Sequence, residues 1–220
     1  VLVLIMASTA IKLFQRSMMD SLRINELEKT TLRSEMEQLK NQINPHFLFN
    51  MLNNANVLTQ KDPVKASQVL MKLSDLLRYQ LYDSARGSVL LTAEIHFLED
   101  FLNLEQIRRD NFEYLVSKHG EISWVQIAPL LLITFVENAI KHNVDSEKKS
   151  YVHLYFEVGH SQLRFRCINS KPQIISKKTE VGGLGLANVK RRLELIYPHT
   201  HTLEIVDNPD TYSVSLTISL

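Results

Sequence analysis

The sequence predicts an α+β protein, in which a helical first half precedes a domain of helices layered on a mixed sheet. Two observations support this fold class. Residues 17–42 and 64–81 contain neither Gly nor Pro and carry apolar side chains at helical spacing. Residues 151–168 and 203–220 instead alternate apolar and polar side chains around short turn sequences, as paired strands do.

Composition limits the classes of function. With 220 residues, 45% of them apolar, the chain can bury the core of one large or two small domains. The formal net charge of +1 provides no basic surface, so we expect no nucleic-acid partner. The single cysteine, Cys167, cannot form an internal disulfide and suits a reducing compartment.

Residues 1–16 begin with an apolar run that carries no charge before Lys12. These eleven residues are too few to span a bilayer, which needs about 20. They are either the cytoplasmic end of a transmembrane helix or a core helix. The basic residues Lys12 and Arg16 favour the first interpretation, because cytoplasmic flanks of membrane helices are enriched in positive charge.

Residues 17–43 predict a signalling helix with a short coiled-coil seam. Its apolar positions step by four, three and four residues, at Leu32, Met36, Leu39 and Ile43. The step of five from Leu27 to Leu32 breaks this phase, so an ordinary amphipathic helix remains the alternative.

Residues 44–88 predict a helical hairpin that begins at a histidine. Asn44 would cap the first helix and Pro45 would occupy its first turn, which holds His46 beside an apolar run. The alternative is a core histidine near a helix kink. The helix is expected to continue to about Thr59.

Asp62 and Pro63 predict the cap and the first residue of the second hairpin helix. Its apolar stripe consists of Ala66, Val69, Leu70, Leu73, Leu76, Leu77 and Leu81. Two helices joined by a short turn bury little surface alone, so we expect them to pair with a second copy in a four-helix bundle. Packing within one monomer is the alternative.

Residues 89–220 predict a second domain, with a boundary near Gly87–Leu91. Its first element is an amphipathic helix over Thr92–Arg109, with Glu94 near its start and Arg108 near its end, as the helix dipole favours.

A polar cluster interrupts the apolar run Pro129–Val144. Its members are Glu137, Asn138, Lys141 and His142. Because burying several polar groups without partners is costly, we expect them to face a ligand or a cleft. A helix end that emerges into solvent is the alternative.

Two strand pairs and a glycine-rich helix start complete the predicted domain. The strands are Tyr151–Val158, Gln162–Ile168, Leu203–Val206 and Tyr212–Leu220. Between the pairs, the polar stretch 171–181 is expected to be a mobile lid. The glycines of Gly182–Leu186 then open a helix, and such helix starts bind phosphates through their backbone amides. On this helix, Arg191 and Arg192 are expected to face solvent.

Three of these segments resemble the motifs of one family. NPHFLFN, from Asn44 to Asn50, closely resembles the phosphoacceptor segment of the LytS/YesM-type sensor histidine kinases. VENAIKH, from Val136 to His142, resembles the N-box of their GHKL-type, or Bergerat, ATP-binding domain, and GGLGL resembles its G-box. The chain is similar to this family from about Thr31 onward. The resemblance implies a coiled coil and a dimerisation hairpin, followed by an α/β sandwich that binds ATP.

The resemblance also implies a role for each motif residue. His46 would accept a phosphoryl group, Asn138 would hold Mg²⁺ through its amide oxygen, and Glu137 is a weak candidate for the base. The expected ATP-binding residues are Asn138, Lys141, His142, Asn143, Asn169, Gly182, Gly183, Leu184, Gly185 and Leu186. Asn169 stands where the wider superfamily has an aspartate that accepts an adenine proton, and the glycine that usually follows is missing.

By this resemblance, the chain is the cytoplasmic part of a bacterial membrane sensor. It would use ATP and Mg²⁺ to phosphorylate His46 and pass the group to an aspartate of a response regulator, expected to be of the LytTR type. Its other partners would be a second copy of itself and the membrane, through helices upstream. Asn169 motivates one rival, a non-catalytic dimeric scaffold with a degenerate ATP lobe. The other rival is a GHKL-type ATPase that performs conformational work.

Overall fold

A computed structural model of the chain describes residues 45–84, 86–143, 149–172 and 183–220, together with five separate residues nearer the N-terminus. The membrane-helix end and the coiled-coil seam predicted before Asn44 lie outside these ranges, as do the Asn44 cap, most of the lid and Gly182. These features stay predictions.

The hairpin follows its local sequence signals. Helix α1 spans Pro45–Lys61 and helix α2 spans Pro63–Arg78. Between them, the side chain of Asp62 accepts a hydrogen bond from the backbone N–H of Lys65 at 3.0 Å, so the predicted N-cap is confirmed. Helix α2 runs directly into a π-helical turn, Tyr79–Asp83.

The apolar stripe predicted for α2 divides between two surfaces. Its buried members are Ala66, Val69, Leu73 and Leu76. Leu70 and Leu81, in contrast, are exposed. Helix α1 is divided in the same way, with Met51 buried and Phe49 exposed. Each hairpin helix therefore keeps a second apolar face that the described residues leave uncovered.

Helix α3, Leu91–Arg108, lies at the centre of the fold. Its buried side chains lie on more than one face, because it packs against both the hairpin and the sheet. On the hairpin side, the rings of Phe47 and Phe101 pack with their centroids 4.7 Å apart. Residues His46–Leu220 accordingly form one compact unit, and the domain boundary expected near residue 88 stays a prediction.

The second half of the chain contains a five-stranded mixed sheet and a two-stranded ribbon. The strands are β1 Val89–Leu90, β2 Phe112–Gly120, β3 Gln126–Ile127, β4 Ser150–Gly159, β5 Gln162–Ser170, β6 His201–Asp207 and β7 Thr211–Ser219. The ribbon pairs β1 with β3, and the sheet has the order β2-β4-β5-β7-β6. Strand β2 runs parallel to β4, whereas the other neighbours are antiparallel. Both predicted strand pairs are confirmed.

Strand β2 has no counterpart among the predicted elements. It lies at an edge of the sheet, and its second half is exposed and carries Ser117 and Lys118, so its alternation is weak. The strand ends at Gly120 with a φ of 85°, and a Cβ atom there would lie 1.9 Å from the carbonyl oxygen of Val158. Only glycine permits this close approach of β2 to β4.

Two more helices cover one face of the sheet. Helix α4, Ile133–His142, packs on β5, with the rings of Phe135 and Phe165 6.0 Å apart between centroids. Helix α5, Gly183–Ile196, packs beside α4. The predicted α+β class, with a helical hairpin followed by an α/β sandwich, is therefore confirmed. In the described part of the chain, none of the helices is both long and apolar enough to cross a bilayer.

Candidate functional site

His46 lies in the first turn of α1, and its side chain is exposed. The side-chain nitrogen of Asn50 lies 3.3 Å from Nδ1 and 3.4 Å from Nε2 of the imidazole. Residues four apart face each other on a helix, so Asn50 can hold the orientation of the ring. Asn50 was not among the predicted site residues, although this i, i+4 spacing of a histidine and an amide points to it.

Asn138 and Gly185 bring the polar cluster and the glycine segment together. A Cβ atom at Gly185 would lie 3.5 Å from both Oδ1 and Nδ2 of Asn138. The Nδ2 atom is buried and has no hydrogen-bond partner among the described residues. Because buried polar atoms are nearly always paired, this position is suited to a ligand that supplies the missing partner.

The glycine segment forms the start of α5. Gly183–Leu186 are helical, and Leu186 packs partly buried against the core. The first N–H groups of a helix have no partner within the helix, so the start of α5 can bind an anion through its backbone.

The other members of the polar cluster lie on α4. Glu137 is partly buried, whereas Lys141 and His142 are exposed. Partial burial of its ring and, as a smaller effect, the charge of Lys141 lower the pKa of His142. The neutral form of this imidazole is therefore favoured at pH 7. The C-terminal turn of α4 therefore presents one fixed positive charge, that of Lys141.

Asn143 differs from these neighbours because it is fully buried. Its Oδ1 accepts a hydrogen bond from Arg109 at 3.2 Å, and its Nδ2 donates to the carbonyl oxygen of Tyr151 at 3.4 Å. Both ends of the amide are thus engaged by the protein. These contacts favour a structural role, and the predicted contact of Asn143 with ATP stays untested.

Asn169 lies on β5 and is 1% exposed. Its Nδ2 donates to the carbonyl oxygen of Ser170 at 2.9 Å. This orientation leaves the amide oxygen as the end that can accept a hydrogen bond from an adenine amino group.

The expectation that Arg192 faces solvent is wrong. Its guanidinium donates to the carbonyl oxygens of Pro129 at 2.6 Å and Leu130 at 3.0 Å. Arg191, its neighbour, is exposed as predicted. Through Arg192, α5 is tied to the loop that precedes α4.

His46 is not joined to the group around Asn138. The hydrogen bonds of its imidazole are those with Asn50, and none among the described residues links it to Asn138 or Gly185. The structure therefore brings together Asn138 and the glycine segment, but it leaves the histidine apart from them.

Comparison with known proteins gives one consistent family. A family model described as histidine kinase matches residues 7–112. The sensor protein LytS of Staphylococcus saprophyticus is 28% identical over 199 residues, which cover 84% of this chain and 34% of LytS. The sensor histidine kinase BtsS of Escherichia coli K12 is 28% identical over 200 residues, which cover 86% of this chain and 34% of BtsS.

Among solved structures, the catalytic domain of histidine kinase ThkA is similar with a TM-score of 0.47 and 18% identity, over 60% of this chain and 93% of that domain. The chain spans 34% of the length of the curated relatives LytS and BtsS. The NPHFLFN segment lies within the range that the family model matches, and both relatives align with most of the chain. These matches support a LytS-type histidine kinase.

Proposed function

We propose that this chain is the kinase part of a sensor histidine kinase, which transfers the γ-phosphoryl group of ATP to His46. The observation that carries the proposal is the buried Nδ2 of Asn138, which has no partner in the described part of the chain and lies beside the glycine start of α5. An exposed histidine in the phosphoacceptor segment supplies the matching acceptor. Similarity to the LytS-type histidine kinases supports the same reaction.

The surroundings of Asn138 suit a magnesium-bound triphosphate. An amide oxygen is a hard ligand of the kind that Mg²⁺ accepts, and a rotation of the carboxamide exchanges its oxygen and nitrogen. Among the described residues, no group of three or more His, Cys, Asp or Glu could hold a metal, so phosphate oxygens would supply the other ligands. When bound, Mg²⁺ would neutralise charge on the phosphates. Lys141 and the start of α5 would add positive potential on the protein side.

On the acceptor side, the imidazole of His46 must present a lone pair on one nitrogen and keep its proton on the other. The side chain of Asn50 lies 3.3 and 3.4 Å from the two ring nitrogens, and with its oxygen turned toward the ring it would accept that N–H. The free nitrogen attacks the γ-phosphorus, the bond from phosphorus to the bridging oxygen breaks, and ADP leaves. Asn50 is then a positioning residue for the acceptor, and Glu137 stays a predicted base.

The uncovered faces of the hairpin support a dimer. Phe49 is 64% exposed on α1 and Met71 is 66% exposed on α2, and pairing with a second hairpin would cover both. Because His46 is not in contact with Asn138, transfer requires either a movement of the hairpin against the sheet domain or a nucleotide held by the partner. A response regulator, expected to be of the LytTR type, would then take the phosphoryl group. A membrane anchor upstream stays a further prediction.

Autophosphorylation with γ-labelled ATP and Mg²⁺ tests the proposal. Wild type should acquire acid-labile label, and both His46→Ala and Asn138→Ala should lose it. His96→Ala is the matched control, because His96 is another helical histidine, with its side chain 80% exposed, and this variant should be labelled like wild type. Label that persists in His46→Ala would contradict the assignment of the acceptor.

A non-catalytic dimeric scaffold is the second candidate, because Asn169 is an uncharged amide that already donates to Ser170. Calorimetric titration with ATP and Mg²⁺ separates the two. Submillimolar affinity supports the kinase, whereas millimolar or absent affinity supports the scaffold. Steady release of phosphate without any phosphohistidine would instead indicate the ATPase.

A further inference from the structure

Two carboxylates are buried on helix α3. Glu94 is 0% exposed and Glu105 is 3% exposed. A buried charge is costly unless partners satisfy it, so each carboxylate requires dedicated donors. They are eleven positions apart, which is about 16 Å along a helix, and the 10 residues of α4 extend about 15 Å. The two carboxylates are thus spaced like the two ends of α4. Glu94 bonds directly to the loop before α4, and Glu105 acts on the other end through Arg109.

Glu94 holds the loop Ala128–Leu132, here named the lead-in loop, which precedes α4. Its Oε2 accepts the backbone N–H of Leu130 at 3.0 Å, and its Oε1 accepts that of Leu132 at 3.3 Å. Leu130 has a φ of 52°, in the left-handed region that a leucine rarely adopts. The carboxylate therefore stabilises a strained turn directly before α4 begins.

Helix α5 holds the other side of the lead-in loop. Arg192 donates to two of its carbonyl oxygens, at 2.6 and 3.0 Å. The hydroxyl of Tyr197, just after α5, accepts the N–H of Ala128 at 2.9 Å. The loop thus ties α4, which carries Asn138, to α5, which carries Gly185.

Glu105 acts on the far end of α4 through Arg109. Its Oε2 lies 3.0 Å from Nε of Arg109. The same guanidinium donates to the carbonyl oxygen of Ile140 at 3.4 Å and to Oδ1 of Asn143 at 3.2 Å. These acceptors belong to the C-terminal end of α4, where carbonyl groups lack helical partners. Both ends of α4 are therefore anchored on α3.

Tyr79 connects the hairpin to this arrangement. It lies in the π-helical turn at the end of α2, and its hydroxyl donates to Oε2 of Glu94 at 2.6 Å. Its ring stacks on Phe97 with 4.8 Å between centroids. Burial is the main cause, and the charge of Glu94 the second, that raises the pKa of Tyr79 far above its ordinary value. The phenol therefore stays protonated and donates.

We propose that Tyr79 and Glu94 are positioning residues for the phosphoryl transfer described above, because they couple the end of the hairpin to the placement of Asn138 beside Gly185. This inference rests on the proposed function. A movement of the π-helical turn displaces the phenol, Glu94 follows through the hydrogen bond, and the lead-in loop shifts α4 against α5. Tyr79 and Glu94 act through Asn138 and do not contact the reacting atoms.

Tyr79→Phe is the variant that tests the coupling. It keeps the ring on Phe97 and removes only the hydroxyl, and Glu94 retains its two backbone donors. Glu94→Gln would instead turn an amide nitrogen toward a backbone donor and risks unfolding the domain. The matched control is Tyr82→Phe, since Tyr82 lies in the same turn and is 71% exposed.

The measurement is calorimetric binding of a non-hydrolysable ATP analogue to the full chain, with Mg²⁺ and with EDTA. With Mg²⁺, Tyr79→Phe should weaken binding at least about fivefold relative to wild type and to Tyr82→Phe, which is the lower end of ordinary coupling between sites. With EDTA the loss for Tyr79→Phe should be smaller, because Asn138 acts through the metal and no longer contributes to binding. A loss that is purely structural would instead weaken binding equally in both conditions.

The outcomes separate this inference from the proposed function. Wild type that binds no Mg²⁺-analogue would overturn the proposed function itself. Wild type that binds, together with Tyr79→Phe that matches Tyr82→Phe, would overturn the inference alone. An equal loss for Tyr79→Phe in Mg²⁺ and EDTA would also overturn it.

Discussion

Replacing Asn138 by leucine should make the protein more stable and unable to bind Mg²⁺-nucleotide. The buried Nδ2 of Asn138 has no hydrogen-bond partner among the described residues, so the amide is desolvated without compensation. Leucine has nearly the same shape and no polar atom. The substitution therefore removes an energetic cost from the free protein and removes the ligand for the metal at the same time.

The size of the gain follows from the number of unpaired atoms. One buried polar atom without a partner costs about 1–3 kcal/mol, and Nδ2 is the one atom of this amide that is both buried and unpaired among the described residues, so the lower part of the range applies. Leucine is also a better helix former than asparagine, by less than about 0.7 kcal/mol. A total of about 1–2 kcal/mol corresponds to a rise in Tm of about 2–8 °C for a chain of this size.

The assay combines thermal unfolding without ligand and calorimetric titration with ATP and Mg²⁺. Asn54→Leu is the matched control, because Oδ1 of Asn54 is also buried without a partner among the described residues but lies on α1 of the hairpin. Both variants should gain stability, and only Asn138→Leu should lose nucleotide affinity. A lower Tm for Asn138→Leu, or unchanged affinity, would refute the reasoning.

Three further predictions concern other parts of the chain. Gly120→Ala should destabilise the fold by about 3 kcal/mol or more, measured by urea titration, because its Cβ would overlap a carbonyl oxygen of β4. The control Gly159→Ala should be tolerated, because a Cβ at Gly159 would enter open space. Burial raises the pKa of the Cys167 thiol to about 12, so Ellman's reagent at pH 8 should react slowly with native protein and rapidly in urea. Asn50→Ala should slow phosphorylation of the histidine by roughly ten- to a hundredfold with unchanged nucleotide affinity, and exposed Asn53→Ala should not.

Local chemistry made much of the fold predictable from the sequence. The cap at Asp62 depends on residues that are at most three positions away, and the alternation of β4 and β5 depends on a single hairpin. Strand β2 was missed for the opposite reason. Its sheet partner β4 is parallel and begins 30 residues after β2 ends, and the exposed half of β2 at the sheet edge weakens the pattern. Strand β6 at the other edge is also exposed, but a short turn joins it to its antiparallel partner β7, and this turn signature made the pair predictable.

The partners of charged residues could not be predicted in this way. The position of Glu94 near a helix start is explained by the helix dipole, yet the structure buries this carboxylate among Tyr79, Leu130 and Leu132. Arg192 looked like part of a solvated helix face and instead contacts the lead-in loop, 62 positions earlier at Leu130. Such contacts join residues far apart in sequence, and nothing in their own neighbourhoods identifies the partner.

The strongest indication of a binding site is a contrast along helix α4. At its start, Glu94 accepts a hydrogen bond from a backbone N–H of the lead-in loop, and Arg192 donates to a carbonyl oxygen of the same loop. At its end, Arg109 donates to oxygen atoms of Ile140 and Asn143. Between these two ends, the Nδ2 of Asn138 is buried and unpaired among the described residues. A fold that supplies long-range partners for the polar groups at both ends of a helix can supply one for its centre. The Nδ2 of Asn138 beside Gly185, unpaired among the described residues, therefore supports the proposal that a bound ligand supplies its partner.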